Sequence, residues 1–103
     1  MGGSAPRGRV TDQPAPWRVK IQGPAQRALA EHLPVGIATA ALEFIQHVLP
    51  TNPYRVGGEL SGRYAGQHAA HLGEYRIIYQ IDAEERLIRV KSIRRRADVY
   101  GVG

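Results

Sequence analysis

The stretch EYRIIYQIDAEERLIRVKSI, residues 74 to 93, decides the fold. Its first half alternates: Tyr75, Ile77, Tyr79 and Ile81 fall on one side and Arg76, Ile78 and Gln80 on the other, the period of two that a strand produces. Aromatic and β-branched residues dominate, which suits a pleated surface. The segment DAEE, residues 82–85, carries turn chemistry, and RLIRVKSI, residues 86–93, again has strand composition. Two strands joined this closely must be antiparallel. Preceded by the shorter QHAAHL, residues 67–72, they make a three-stranded meander that closes the chain.

Upstream the period changes. WRVKIQ, residues 17–22, sets Trp17, Val19 and Ile21 against Arg18, Lys20 and Gln22, a strand with one buried face. GPAQRALAEHL follows as a helix, with Pro24 in its first turn, Ala28, Leu29 and Leu33 inward, and Pro34 as its terminator. From Pro34 to Leu49 the apolar residues Ile37, Ala40, Ala41, Phe44, Ile45 and Val48 recur at three and four, the spacing of an amphipathic helix. Two helices meeting at Leu33-Pro34 form a helical hairpin. The glycine-rich YRVGGELSGRYAG, residues 54–66, reads as a loop or passage leading into the strands. The order of strand, two helices and three strands is an α+β arrangement in which the hairpin covers one face of a small sheet.

The sequence has 103 residues and no cysteine. That length supports one domain, and the absence of thiols rules out a disulfide framework and thiolate chemistry and suits a reducing compartment. Residues 1–16, rich in Gly, Pro, Ser and charge, are expected to be a flexible extension preceding a domain of residues 17–103. They lack the apolar core of a signal peptide, and no apolar run approaches the ~20 residues of a membrane span. The expectation is a cytoplasmic protein with no membrane contact.

The formal charge is +5, and Arg86, Arg89, Lys91, Arg94, Arg95 and Arg96 fall within one short late stretch. Such a cluster attracts polyanions, nucleic acid first, or serves as a solvated face. His32, His47, His68 and His71 include no HExxH pattern, so no metal site is assigned. His68 and His71, three apart in a strand, point to opposite faces. The glycine-rich GGELSG, residues 57–62, lacks the lysine of a phosphate loop. Arg76 stands out: an arginine inside an apolar strand must pair with a carboxylate or face an open surface that receives anions. Along an extended strand Arg94 and Arg96 share a face while Arg95 points away, and several guanidinium forks could clasp one phosphate.

These residues carry a resemblance. GEYRIIYQID followed by RLIRVKSIRRRADVYG looks like the C-terminal half of the RelE/ParE toxin superfamily, RelE-type toxins in particular, and LPVGIATAALEFIQHVLPTNPYRVGGELSGRYAG resembles the helical hairpin and connection of that family. The similarity covers about residues 17–101. It implies the toxin of a type II toxin–antitoxin system, a ribosome-dependent endoribonuclease that cuts messenger RNA in the A site without metal or small-molecule cofactor. Its implied partners are a cognate antitoxin, the ribosome and mRNA. By position, the resemblance makes Arg76 the stabiliser of charge on the phosphorane, Arg94 the helper of the leaving oxygen, Arg96 a phosphate contact and Tyr100 a 2′-hydroxyl contact or base. Arg95, Lys91, Arg89 and His68 complete the expected RNA-binding set. Where some relatives carry lysines and an arginine before the GxYR strand, this chain has Gln67, Ala69 and His71, and Arg95-Arg96 replaces a His-Arg pair. The base is then Tyr100 or His71; an imidazole ordinarily titrates near ~6.5 and a phenol near ~10. A ParE-like gyrase inhibitor and a toxin retaining only antitoxin or RNA binding are the alternatives.

Overall fold

The computed structural model describes residues 17–100; the expected extension, residues 1–16, lies outside the described residues, as do residues 101–103 and the side chain of Tyr100. Five strands form one sheet: β1 (Arg18–Ile21), β2 (Gly57–Glu59), β3 (His68–Leu72), β4 (Tyr75–Asp82) and β5 (Leu87–Arg95), in the spatial order β1-β5-β4-β3-β2. The expected meander is β3-β4-β5, antiparallel throughout. The first strand pairs in parallel with the last, Val19 opposite Ile88 and Ile21 opposite Val90. A parallel partner needs a crossover: the helices carry the chain from β1 at one edge to β2 at the other, and β3 and β4 then lead back to β5.

Helix α1 (Gly23–Arg27) has Pro24 in its first turn, where no backbone N–H is required. It widens into a π turn, Ala28–His32, which Leu33 closes through its N–H to the Ala28 carbonyl at 3.0 Å. Helix α2 (Val35–Glu43) also ends in a π turn, Phe44–Val48. Here the inward set differs from the expected one. Ala41, Ile45 and Leu49 are fully buried, Ile37 and Phe44 are half-buried, and Ala40 and Val48 are exposed. Bonds from i to i+5 put one more residue into each turn, so the buried positions fall four apart and Val48 rotates outward.

The glycine-rich segment contains a strand that its pattern does not announce. Gly57–Glu59 pairs antiparallel with β3, Gly57 opposite Ala70. The reason lies on β4: the Tyr79 hydroxyl donates to the Pro53 carbonyl at 2.6 Å, and a Cβ at Gly57 would collide with that hydroxyl and with the Ala69 carbonyl. Only a residue without a side chain can lie there, and without side chains there is no alternation to read.

A second tertiary feature sits in β5. Ile78 pairs with Ser92 but Tyr79 pairs with Val90, so Lys91 is an extra residue on that strand, a β-bulge. The apolar positions Ile88, Val90 and Ile93 slip from a spacing of two to three. The bulge absorbs the slip and returns all three to the core shared with Ala25, Ala28, Ala41, Ile45 and Tyr79. Beyond β5 the chain turns into a short helix, α3 (Arg96–Tyr100), so Arg96 opens that helix instead of extending the strand on the face of Arg94 as expected. Val99 anchors it on the opposite face of the sheet, against Ala69 and Ile78.

Candidate functional site

With Ile77 and Ile93 committed to the helix-covered core, their neighbours in sequence point the other way. The register sets His71 opposite Arg76 and Arg76 opposite Arg94. Adjacent strands lie ~4.8 Å apart, so these three side chains start in one row across β3, β4 and β5 on the face away from the helices. Without the bulge at Lys91, Arg94 would share the face of Val90. Two arginines directly opposite each other destabilise a sheet, and an anion held between them removes that cost.

The members of the row differ in exposure. Arg76 is 5% exposed, and its Nη1 donates to the carbonyls of Gly73 at 3.0 Å and Tyr75 at 2.9 Å. The β3–β4 turn therefore clamps one arm of a planar fork and fixes the direction of the rest. Arg94 and His71 are exposed. Arg96, also exposed, opens α3, and its N–H donates to the Glu74 carbonyl at 2.6 Å, which ties the start of that helix to the same turn.

The remaining expected residues lie elsewhere. Arg95 pairs across the sheet with Tyr75 on the helix side, with its guanidinium 5.9 Å from the Tyr75 ring centroid and 3.1 Å from a Glu74 carboxylate oxygen. Lys91 is half-buried at the bulge. Arg89 sits toward the far end of the sheet, 3.5 Å from an Asp82 carboxylate oxygen. His68 pairs with Tyr79, stacks on its ring at 5.4 Å and so belongs to the helix side. Tyr100 continues α3 one residue beyond Val99, and its side chain is outside the described residues. The structure thus brings His71, Arg76 and Arg94 together and separates them from Arg95, Arg89 and His68.

Beside this row, beyond the end of β1 along β5, lies a cleft of about 460 Å³ between the first arm of the helical hairpin and α3. Tyr75 and Ile93 contribute apolar surface, and Arg94, Arg95, Asp98 and His32 contribute charge and hydrogen-bonding groups. Asp98 and Val99 were not among the expected site residues; Asp98 lines the cleft and Val99 is 8% exposed, a burial that a solvated tail would not provide.

No family model matches the sequence. Individual relatives do. The chain is 38% identical over 85 residues to Toxin RelE of Mycobacterium tuberculosis, covering 82% of this chain and 87% of that protein. The chain belongs to the RelE toxin family. Toxin RelG of the same organism is 36% identical over 85 residues, covering 82% of this chain and 97% of the relative. Among solved structures, the RelBE2 toxin–antitoxin complex of M. tuberculosis superposes with a TM-score of 0.74 at 35% identity, covering 84% of this chain and 98% of that one. The archaeal RelE–RelB complex of Pyrococcus horikoshii superposes at 0.62 with 27% identity, covering 80% and 97%. The RelE fold is therefore shared over most of the chain.

Proposed function

We propose that this chain is the toxin of a type II toxin–antitoxin pair and acts as a ribosome-dependent endoribonuclease that cuts messenger RNA in the A site. The observation that carries this reading is the cross-strand pair Arg76 and Arg94, two like charges side by side on an open face with His71 next in the row. A scissile phosphate seated over the pair would be held by two guanidinium forks, that of Arg76 already oriented by its backbone partners. As the 2′-hydroxyl attacks the neighbouring phosphorus, negative charge grows on the phosphorane oxygens, and Arg76, immobilised by the turn carbonyls, meets that charge with little reorganisation. Arg94, exposed to solvent, serves the departing 5′-oxygen, and Arg96 holds the adjoining phosphate. The products are a 2′,3′-cyclic phosphate and a 5′-hydroxyl end.

The proton of the attacking hydroxyl needs an acceptor. His71 stands in the row and is solvent-accessible, which favours imidazole as the base; Tyr100 is the alternative donor–acceptor at the end of α3. The antitoxin enters the proposal because relatives of this chain were solved as complexes with theirs. Among the described residues no helix is long and apolar enough to cross a membrane, in keeping with action on ribosomes in the cytoplasm.

The test is to map 3′ and 5′ ends on a translated message in a cell-free system, with and without ribosomes, for the full chain and for Arg94→Ala. Cuts confined to ribosome-bound message, with cyclic phosphate ends that disappear in the variant, are the expected result. Intact message with altered plasmid supercoiling would point to gyrase, and antitoxin or RNA binding without any cut would mean a toxin that retains binding alone.

A further inference from the structure

Between β2 and β3, residues 60–67 form a compact loop that the arginine row does not use. Its ends are joined by the Leu60 N–H donating to the Gln67 carbonyl at 2.8 Å, and inside it the Ala65 N–H donates to Gly62 and the Gln67 N–H to Tyr64, each at 3.0 Å. Gly62 and Gly66 take φ of 66° and 87°, left-handed conformations that L side chains rarely adopt, so the loop has a built shape. It presents two side chains. Tyr64 is half-buried and packs on the open-face cluster of Ala69, Ile78 and Val99. Arg63 is exposed, and its guanidinium carbon lies 5.4 Å from the centroid of the Tyr64 ring.

A tyrosine that merely plugs the cluster would account for the packing but not for the exposed arginine held against its ring. An aromatic face with a stacked guanidinium is the surface on which unpaired nucleobases settle. Its position fits as well. The Ala69–Ile78 pair beneath Tyr64 lies two residues along the strands from the His71–Arg76 pair, a displacement of ~6.6 Å, on the same face.

We infer that Arg63 and Tyr64 form a stacking platform for one nucleobase of a single-stranded RNA, adjoining the nucleotide whose phosphate Arg76 and Arg94 hold. The inference rests on the nuclease reading for the identity of the strand and assigns the loop a role in seating it. Stacking accepts any base, so the platform adds affinity and register, not base identity. The fixed loop shape keeps the entropic cost of ordering it on binding small.

The test uses the full chain and a short RNA whose scissile nucleotide lacks its 2′-hydroxyl, so that binding is read without cleavage, at low salt. Tyr64→Leu keeps an apolar contact with the cluster and removes the ring; it should weaken binding about tenfold with the salt slope unchanged, since no phosphate contact is lost. Tyr64→Trp should bind at least as well as the parent. An abasic scan should find one position whose loss costs the parent about tenfold and costs Tyr64→Leu nothing further. Equal affinity of Tyr64→Leu and the parent, an abasic penalty that stays fully additive with the variant, or no measurable binding by the parent would each overturn the inference. So would a Tyr64→Leu variant that loses antitoxin affinity while RNA binding stays intact. The same proteins assayed on ribosome-bound message separate the two readings: the single-position coupling without cuts sinks the nuclease and leaves the platform, and cuts without Tyr64 dependence do the reverse.

Discussion

The two faces of the sheet follow different rules. On the helix-covered face, Ile77, Tyr79, Ile88 and Val90 are all fully buried and pack with Ala41 and Ile45, and each position is satisfied by any residue of the right volume and polarity. On the open face, Arg76 and Arg94 stand opposite each other at a cost to stability, with an apolar island of Ala69, Ile78 and Val99 that holds α3 and the 60–67 loop in place. One face supplies most of the free energy of folding; the other spends a little of it to keep two arginines side by side, the pair proposed to hold a phosphate. Variants on the two faces should therefore be separable, losing stability on the first and activity on the second.

The largest effect is expected at the row. Arg94→Ala removes an exposed side chain and should leave the melting temperature nearly unchanged while lowering the cleavage rate about a hundred- to a thousandfold, ~2.7–4 kcal/mol by comparison with the loss of one oxyanion donor. Arg76→Ala and Tyr100→Phe should likewise abolish growth arrest without loss of antitoxin binding. Single-turnover kinetics and thermal melts on the same samples decide this. A variant that loses stability and activity together would erase the contrast between the faces.

Next in size is the hydroxyl on the covered face. Tyr79→Phe deletes the donor to the buried Pro53 carbonyl and should cost about 1–3 kcal/mol in urea unfolding with little change in cleavage per folded molecule. Its pH signature is distinctive. Burial pushes the Tyr79 hydroxyl up from 10.0 to about 12. A folded-state pKa raised above the unfolded one gives stability that is complete below pH ~10 and is lost as pH rises toward 12, at up to about 1.4 kcal/mol per pH unit. The parent should show this alkaline decline and Tyr79→Phe should show less of it, provided the fold survives near pH 11; parallel alkaline curves would mean that the phenol is not protected by burial.

The smallest effect is expected at Arg95. It lies on the helix side with an exposed partner, Glu74, and exposed pairs contribute about 0–1 kcal/mol. Arg95→Ala should lower RNA affinity slightly through charge alone and leave the rate for bound message within a few-fold of the parent. A loss equal to that of Arg94→Ala would show that the triplet acts by charge without regard to face.

Much of the scaffold was open to reading in one dimension. Alternation identified β4, strand composition identified β5, the three-and-four spacing identified the hairpin, and strand parity set Arg94 and Arg95 on opposite faces, because local side-chain direction follows directly from backbone period. Arg76 was conspicuous for the same reason, as a charge inside an apolar strand. The short strand Gly57–Glu59 was not legible, since glycines carry no pattern and its pairing depends on Tyr79, more than 20 residues away in sequence. Nor was the exposure of Val48, which follows from the π turn at Phe44–Val48.

What the sequence determined by itself was therefore the main elements, the strand Gly57–Glu59 and the closing helix apart, together with their order and the residues bearing charge, all of which depend on interactions between near neighbours. What only the tertiary structure decided was the juxtaposition. The parallel docking of β1 on β5, the bulge at Lys91 that turns Arg94 toward Arg76, and the seating of Val99 and Tyr64 on Ala69 and Ile78 each join residues far apart in the chain. Their registers are chosen by the shared need to bury apolar surface on one face, a condition on the assembled sheet that no single segment contains.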